Sequence, residues 1–547
     1  MSLKKLAWPS LFILLALIIG FFAGSLYFGK SSPRKFFLNK KNKVDVLLDK
    51  INEEYVDTID MTELMENAVT KIVGELDPHS TYIPAKELAT INANMDGRFA
   101  GVGISYIFYS DTMVIMSATQ GGPAEQAGLI AGDRIVTVND SLVTGIHYAE
   151  DKIMENLRGK LGTSVKLGIV REGVDSLRVY TLKRSYVPIN SIKAAYEFTN
   201  GIGIIKIYDT FTNNTYDEFI GAMAKLLNKG CHSFIIDLRM NKGGSFETAV
   251  HICNEFLSKE QMIVYVEGRS FPREDKRADG LGTLQDKPVV ILMDQISASA
   301  SEIVAGAIQD NDRGLIIGRR SFGKGLVQNQ IELSDGSAVR LTVARYYTPS
   351  GRNIQRKYEL GKTDRYNQEW IDRLAAGEGL YKDSIILNTS RSYHTLSGRE
   401  VYGGGGIMPD IFVPLDTTEL TSYYLHLENK DIFGKFAFEY SDANRSKLKT
   451  FTNNEDMLLY LKKQITLNDV IRFAETKGIK RRSSLINISA NQIMNMTYAC
   501  ILQNFFGEEA FFSLILNNDP LVKRAVEEIQ KGNADPRSIA NMKYNKN

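Results

Sequence analysis

Val289-Val290-Ile291-Leu292-Met293-Asp294-Gln295-Ile296-Ser297-Ala298-Ser299-Ala300-Ser301-Glu302-Ile303-Val304-Ala305-Gly306-Ala307 begins as a short apolar run and passes through three serines into a helix-forming stretch. A run that short and that apolar predicts a strand buried on both faces. Serine is a preferred residue at a helix start, and Ser299 with Glu302 fits a capping box. The same position also offers unpaired N–H groups and the positive end of the helix dipole, which suit a nucleophile and its oxyanion. Reading outward, the runs Ile202–Ile207, Ser233–Leu238 and Leu315–Ile317 repeat the pattern of apolar strands. They alternate with helical stretches Tyr216–Leu227, Phe246–Phe256 and Ser299–Gln309, so residues 185–415 read as an α/β domain with helices packed on a sheet.

Two further segments of this domain carry chemistry. Ile235-Ile236-Asp237-Leu238-Arg239-Met240-Asn241-Lys242-Gly243-Gly244 takes a buried strand into a glycine pair and then a helix. Such a turn either only reverses the chain or leaves backbone N–H groups facing an oxyanion. Gly318-Arg319-Arg320-Ser321-Phe322-Gly323-Lys324-Gly325-Leu326-Val327-Gln328 brackets a lysine with glycines. The order differs from a Walker loop because Gly325, not Ser or Thr, follows the lysine. A lysine turned inward here would lose hydration, which lowers its pKa and frees the neutral amine to act as a base.

Residues 96–184 differ in texture. Short β-rich runs (Val102–Phe108, Met113–Ala118, Arg134–Val138, Val165–Arg171, Ser176–Lys183) are separated by glycine turns and one helical stretch, Tyr148–Arg158, which predicts a small partly open barrel. Arg98-Phe99-Ala100-Gly101-Val102-Gly103-Ile104 enters its strand through two glycines, a candidate anion nest. Together with the run Gly122-Pro123-Ala124-Glu125-Gln126-Ala127-Gly128-Leu129-Ile130-Ala131-Gly132-Asp133-Arg134-Ile135-Val136-Thr137-Val138-Asn139, this segment resembles a PDZ domain of the bacterial protease type. The resemblance implies that a peptide adds as a strand beside Val102–Tyr106, its terminal carboxylate in the nest at Gly101, Val102, Gly103 and Ile104.

From Lys43 to Pro414, including Leu76-Asp77-Pro78-His79-Ser80 and Gly406-Ile407-Met408-Pro409-Asp410, the chain resembles the carboxyl-terminal processing (tail-specific) proteases. The resemblance implies a ClpP/crotonase-like serine protease domain with Ser299 as nucleophile, Lys324 as base and Gln328 orienting the lysine. It implies an oxyanion hole from the N–H groups of Ala300 and of Gly243 or Gly244. Asp310, at the end of the serine helix, is a candidate supporting residue with a structural reading preferred. Lys242 stands where many members carry proline. No cofactor or metal is implied. Substrates would be proteins with flexible apolar C-terminal tails, and an adaptor or lipoprotein is a candidate partner. Two other functions compete: an inactive PDZ scaffold, against which the joint presence of Ser299, Lys324 and Gln328 argues, and a crotonase-like acyl-CoA enzyme, which has no use for a PDZ module.

The 547 residues allow several domains, and 24% charged against 44% hydrophobic is a globular balance. A net charge of +2 gives no field for nucleic acid. Cys231, Cys253 and Cys500 match no metal spacing. Residues 6–29 carry no charge, follow Lys4 and Lys5, and have Trp8 and Tyr27 near their ends, which predicts a transmembrane signal-anchor over residues 1–30. The basic residues after it (Lys30, Arg34, Lys35, Lys40, Lys41, Lys43) pull toward the opposite orientation, but the short N-terminal tail favours the bulk on the periplasmic side. Small residues at Ala23-Gly24-Ser25 leave cleavage as the minority alternative. Residues 31–95 read as a linker and two amphipathic helices, the second with Thr62 as candidate cap. Leu360–Ser397 reads as a charged excursion. Residues 416–547 are a helical extension that fits either a homodimer interface or a cap on the α/β core, the dimer slightly preferred.

Overall fold

The computed structural model describes residues 42–387 and 392–539. The predicted membrane span lies outside them. The described residues divide after Ala68. Helix α1 (Lys43–Glu54) is capped by Asn42 and buries none of its residues. Helix α2 (Met61–Gly74) is capped by Asp60, not by Thr62: Asp60 Oδ1 accepts the Thr62 N–H at 2.8 Å. The carboxylate two residues earlier reaches the free N–H of the first turn, where Thr62 is already helical.

Beyond α2, β1 (Thr81–Ile83) and α3 (Ala85–Asp96) lead into the PDZ module. β2 (Arg98–Gly101) enters it. β3 (Ile104–Tyr109), β4 (Thr112–Ala118), β5 (Arg134–Val138), β6 (Ser164–Val170) and β7 (Arg178–Lys183) form one antiparallel sheet in that order, with α4 (Glu150–Leu157) inserted before β6. β3 is an edge strand, so half of its backbone groups have no strand partner. β8 (Ser185–Pro188) leaves the module antiparallel to β2, pairing Arg98 with Pro188 and Gly101 with Ser185.

The α/β domain is built on a six-stranded sheet. β9 (Ile192–Thr199) is antiparallel to β10 (Ile202–Ile207), and β11 (Ser233–Asp237), β12 (Val289–Met293), β13 (Leu315–Gly318) and Ile411–Phe412 follow in parallel. Strand periodicity splits their apolar side chains between two faces. Ile205, Ile236, Ile291 and Ile316 share a core with α5 (Thr215–Asn228), α6 (Phe246–Phe256) and α7 (Ala300–Asp310). Ile204, Ile235, Val290 and Leu315 face the other way. A second, five-stranded sheet, not anticipated from sequence, joins β14 (Leu326–Glu332) and β1 to β15 (Ala338–Tyr347), with Met262–Glu267 and Glu274–Arg277 beyond. The charged excursion contains α8 (Thr363–Ala375).

The helical extension serves two purposes. Residues 422–510 build their own core around Phe433, Leu461, Ile471 and Ile501, with α9 (Ala490–Phe506) central to it. α10 (Pro520–Gln530) places Leu521, Val522 and Ala525 against Ile204, Ile235 and Val290, so the capping alternative describes this part. By length and composition one stretch among the described residues, Ala490–Leu516, could cross a membrane. It is interrupted at Gly507, and Ile493, Ile501 and Leu502 lie in the helical core. The PDZ module docks on this extension: Arg134 Nη2 lies 2.6 Å from Asp442 Oδ2, and the Tyr109 hydroxyl donates to Glu439.

Candidate active site

The turn between β12 and α7 holds three serines in three situations. Ser297 is fully buried and its hydroxyl donates to the Leu238 carbonyl at 2.9 Å. Ser301 is fully buried and donates to Asn241 Oδ1 at 2.8 Å. The Ser299 hydroxyl caps α7 by facing the Glu302 N–H, but its proton goes to no acceptor among the described residues, and it lines a cavity of about 390 Å³. Its backbone sits at φ 55, ψ −114, a strained conformation for a residue with a side chain. A sharp strand-to-helix turn of this kind lifts a hydroxyl clear of the framework, as nucleophile elbows do.

Two neighbours hold that strained turn. Gly243 packs against it so tightly that a Cβ there would fall 2.6 Å from the Ala298 carbonyl oxygen and 2.7 Å from Ser299 Cβ. Only glycine fits this approach, and its φ of 92 also favours glycine. Asn241, buried, binds both sides: its Oδ1 accepts the Gly243 N–H at 2.9 Å as well as Ser301 Oγ, and its carbonyl accepts the Ala298 N–H at 3.0 Å. The glycine pair is part of a short strand, Asn241–Gly244, paired with Asp209–Phe211, where the sequence suggested a bare turn. Of the expected oxyanion donors, the Ala300 N–H has no acceptor among the described residues, whereas that of Gly243 is occupied by Asn241. Lys242 points to solvent and pairs with Asp209.

Lys324 lines the same cavity. Burial, then the charge of Arg340, lowers its pKa from the usual lysine range, so the amine is more readily neutral. Its Nζ donates to Gln328 Oε1 at 2.9 Å. The amide of Gln328 is itself fixed: Nε2 donates at 2.6 Å to the carbonyl of His79. A carbonyl can only accept, so the NH₂ must face it and the oxygen must face the lysine. The His79 carbonyl is presented by a turn that Asp77 ties together, its Oδ1 accepting the N–H groups of His79 and Ser80 (both 2.9 Å) and its Oδ2 the Ser80 hydroxyl at 2.6 Å. Burial raises the Asp77 pKa, but these bonds outweigh it and the net shift is downward. The His79 imidazole is neutral, pushed down to about 3 by burial and then by Lys324, and its Nε2 meets the Tyr366 hydroxyl at 3.0 Å.

Two residues join the serine and lysine segments. Glu302 is fully buried, and its Oε2 accepts the N–H of Ser299 at 2.8 Å and of Lys324 at 2.9 Å. Its Oε1 accepts the Gly323 N–H at 2.7 Å and the Ser321 hydroxyl. Burial pushes its carboxyl up to about 7 against these donors, which favour the charged form. Tyr346 donates to the Lys324 carbonyl at 2.7 Å and lies 3.2 Å from that of Ser299. The sequence pattern marked Glu302 only as a helix cap and gave no sign of Tyr346. Asp310 does not line the cavity. It is buried in an ion pair with Arg352 at 2.7 Å and accepts the Ser350 hydroxyl at 2.6 Å.

In the PDZ module, no described residue accepts the N–H of Val102 or Gly103, and Gly103 has φ 73. The nest therefore opens at the start of the free edge of β3.

A family model described as peptidase family S41 matches residues 201–365, and a PDZ domain model matches residues 114–171. A family of unknown function matches residues 423–507. The carboxy-terminal-processing protease of Bartonella bacilliformis is 35% identical over 315 residues, covering 56% of this chain and 71% of that protein. The carboxy-terminal processing protease CtpA of Bacillus subtilis is 33% identical over 320 residues, covering 58% and 67%. The solved photosystem II D1 C-terminal processing protease aligns with 26% identity and a TM-score of 0.35, covering 68% of this chain and 87% of that one. With the site assembled on the serine, lysine and glycine segments and the PDZ module set into the same chain, this protein belongs to the carboxy-terminal processing serine proteases of peptidase family S41.

Proposed function

We propose that the chain is an endopeptidase that uses a Ser299–Lys324 dyad to cut proteins held by their C-terminal tails. The observation that carries this reading is the one hydroxyl of the serine run whose proton has no acceptor among the described residues, on a strained turn, sharing a cavity with a desolvated lysine that Gln328 orients. Neutral Lys324 takes the Ser299 proton as Oγ attacks the scissile carbonyl. The oxyanion is held by the Ala300 N–H, with Gly243 or Gly244 as second donor; use of Gly243 requires the Asn241 amide to release it. Lys324 then protonates the leaving amine and activates the water that hydrolyses the acyl-enzyme. A substrate tail adds along β3, its carboxylate at the N–H groups of Val102 and Gly103. Residues 1–30 anchor the protein with its bulk on the extracytoplasmic side, where the substrates are envelope proteins, and the helical extension supplies a dimer contact.

The test is cleavage of an unstructured peptide with an apolar free C-terminus by the full chain, beside Ser299→Ala and Lys324→Ala. Loss of cleavage in both, with unchanged circular dichroism, supports the dyad. Retained cleavage in Ser299→Ala overturns it.

A further inference from the structure

A second cavity lies apart from the catalytic one. A space of about 720 Å³ opens behind the loop that carries Lys324, between α8 and the glycine run Gly403–Gly406. Its wall holds three arginines that are nine-tenths or more buried: Arg320, Arg356 and Arg373. Their neutralisation is short. Arg320 and Arg373 share one carboxylate, Glu378, at 2.9 and 2.7 Å. Arg356 has Glu369 at 2.5 Å, but Glu369 is itself 46% exposed. Nε and Nη2 of Arg356 and Nη1 of Arg373 have no hydrogen-bond partner among the described residues, and the Arg356 guanidinium lies over the rings of Tyr366 at 3.9 Å and Phe322 at 4.4 Å. Burial and the neighbouring Arg373 push the Arg320 guanidinium down to about 10. Over the whole lining there are five cationic side chains and three carboxylates, with Arg365 paired to Glu359 outside it.

Uncompensated buried charge is costly, and guanidinium forks match carboxylate and phosphate oxygens. The Arg320 guanidinium lies over Gly405, where an added Cβ would meet three of its atoms at 3.7 Å. The rim is apolar, with Ile386 left 87% exposed. We infer that this cavity binds a small ligand with an oxyanion head, carboxylate or phosphate, on a short apolar stem. The head neutralises the arginine wall and the stem covers Ile386.

Occupancy would bear on the catalytic loop. The backbone N–H of Arg356 donates to the Gly323 carbonyl at 3.0 Å, and Arg373 Nη2 reaches the Ser321 carbonyl at 3.4 Å. A ligand that fixes these arginines therefore fixes the segment preceding Lys324.

The test is calorimetric titration of the full chain with inorganic phosphate, hexyl phosphate and hexanoate at constant ionic strength, with chloride as control. At least one of the two head groups is expected to bind saturably, more tightly with the hexyl stem than as inorganic phosphate if the phosphate is preferred. Comparison of hexyl phosphate with hexanoate assigns the head. Arg356→Gln should weaken binding about tenfold or more. Gly405→Ala should do the same without strain, since its methyl would stand in ordinary contact with Arg320 at 3.7 Å and take up space beside that guanidinium where the head group binds. Ser299→Ala should bind as the parent does, which separates this cavity from the catalytic one. Absence of saturable binding by every probe, or binding unchanged in both cavity variants, overturns the inference.

Discussion

Gly243→Ala tests the geometry of the site most directly. The added methyl would stand 2.6 Å from the Ala298 oxygen, 2.7 Å from Ser299 Cβ and 2.9 Å from the Ala300 nitrogen, against ordinary contacts of 3.4 Å or more. Relief moves the serine turn by close to an ångström, and a misplacement of about 1 Å at a reacting centre costs about 100-fold in rate. The same shift takes the Ala300 N–H off the oxyanion, and loss of one such donor costs about 10²–10³-fold, or about 3–4 kcal/mol. Alanine at φ 92 adds backbone strain of about 1–2 kcal/mol, which appears as lower stability. The expected result is a kcat lowered about 10²–10³-fold with KM and tail-peptide affinity of the PDZ module near those of the parent. Single-turnover peptide cleavage, peptide anisotropy and thermal unfolding read the three quantities separately. Lys242→Ala, one residue earlier but pointing to solvent, is the control and should cleave normally. A Gly243→Ala enzyme with kcat within a factor of about three of the parent would refute the reasoning.

Arg340→Gln removes the positive charge that helps to lower the Lys324 pKa, so the acid limb of the kcat/KM profile should move to higher pH. The unfolded chain binds a proton at Lys324 more readily than the folded one. Stability should therefore rise as pH climbs from the lowered folded pKa toward the ordinary lysine value, and Lys324→Met should lose that slope in thermal unfolding measured against pH. Asp310→Ala strands a fully buried Arg352 and should cost about 3–5 kcal/mol of stability while the folded fraction keeps its kcat. Arg134→Glu sets like charges against Asp442, and hydrogen exchange in residues 134–138 should quicken as the PDZ module leaves the helical extension.

Four of the six α/β strands could be read to within a residue because burial on both faces makes them unbroken apolar runs: β10 and β12 match the runs 202–207 and 289–293, whereas the outer strands β9 and Ile411–Phe412 were not read. The second sheet escaped notice because β14 and β15 are half-polar strands, Leu326-Val327-Gln328-Asn329-Gln330-Ile331-Glu332 among them, with one wetter face and no continuous apolar signature. Ser299, Lys324 and Gln328 stand within 30 positions of one another and were visible as motifs. The His79 carbonyl that orients Gln328 is 249 positions away and acts through backbone, which side-chain patterns do not encode. Glu302 looked like a helix cap because one half of its role is that; the other half depends on a loop about 20 positions later coming back to the same carboxylate. The arginine wall was hidden because Arg320, Arg356 and Arg373 lie in three segments whose charge reads as surface until the fold buries it.

The pairing of β2 with β8 has a mechanical consequence. The PDZ module departs and returns through adjacent strands, and the Ile189 N–H closes the neck on the Gly97 carbonyl at 2.8 Å. A module on one strand of linker swivels about every bond, but a paired stem resists torsion and bends across its narrow axis, as a ribbon does. Release of the module from the helical extension would therefore swing it along one arc rather than set it adrift. The stem also makes the module an excisable insertion, since joining position 97 to position 189 needs only a tight turn where the two chains already touch.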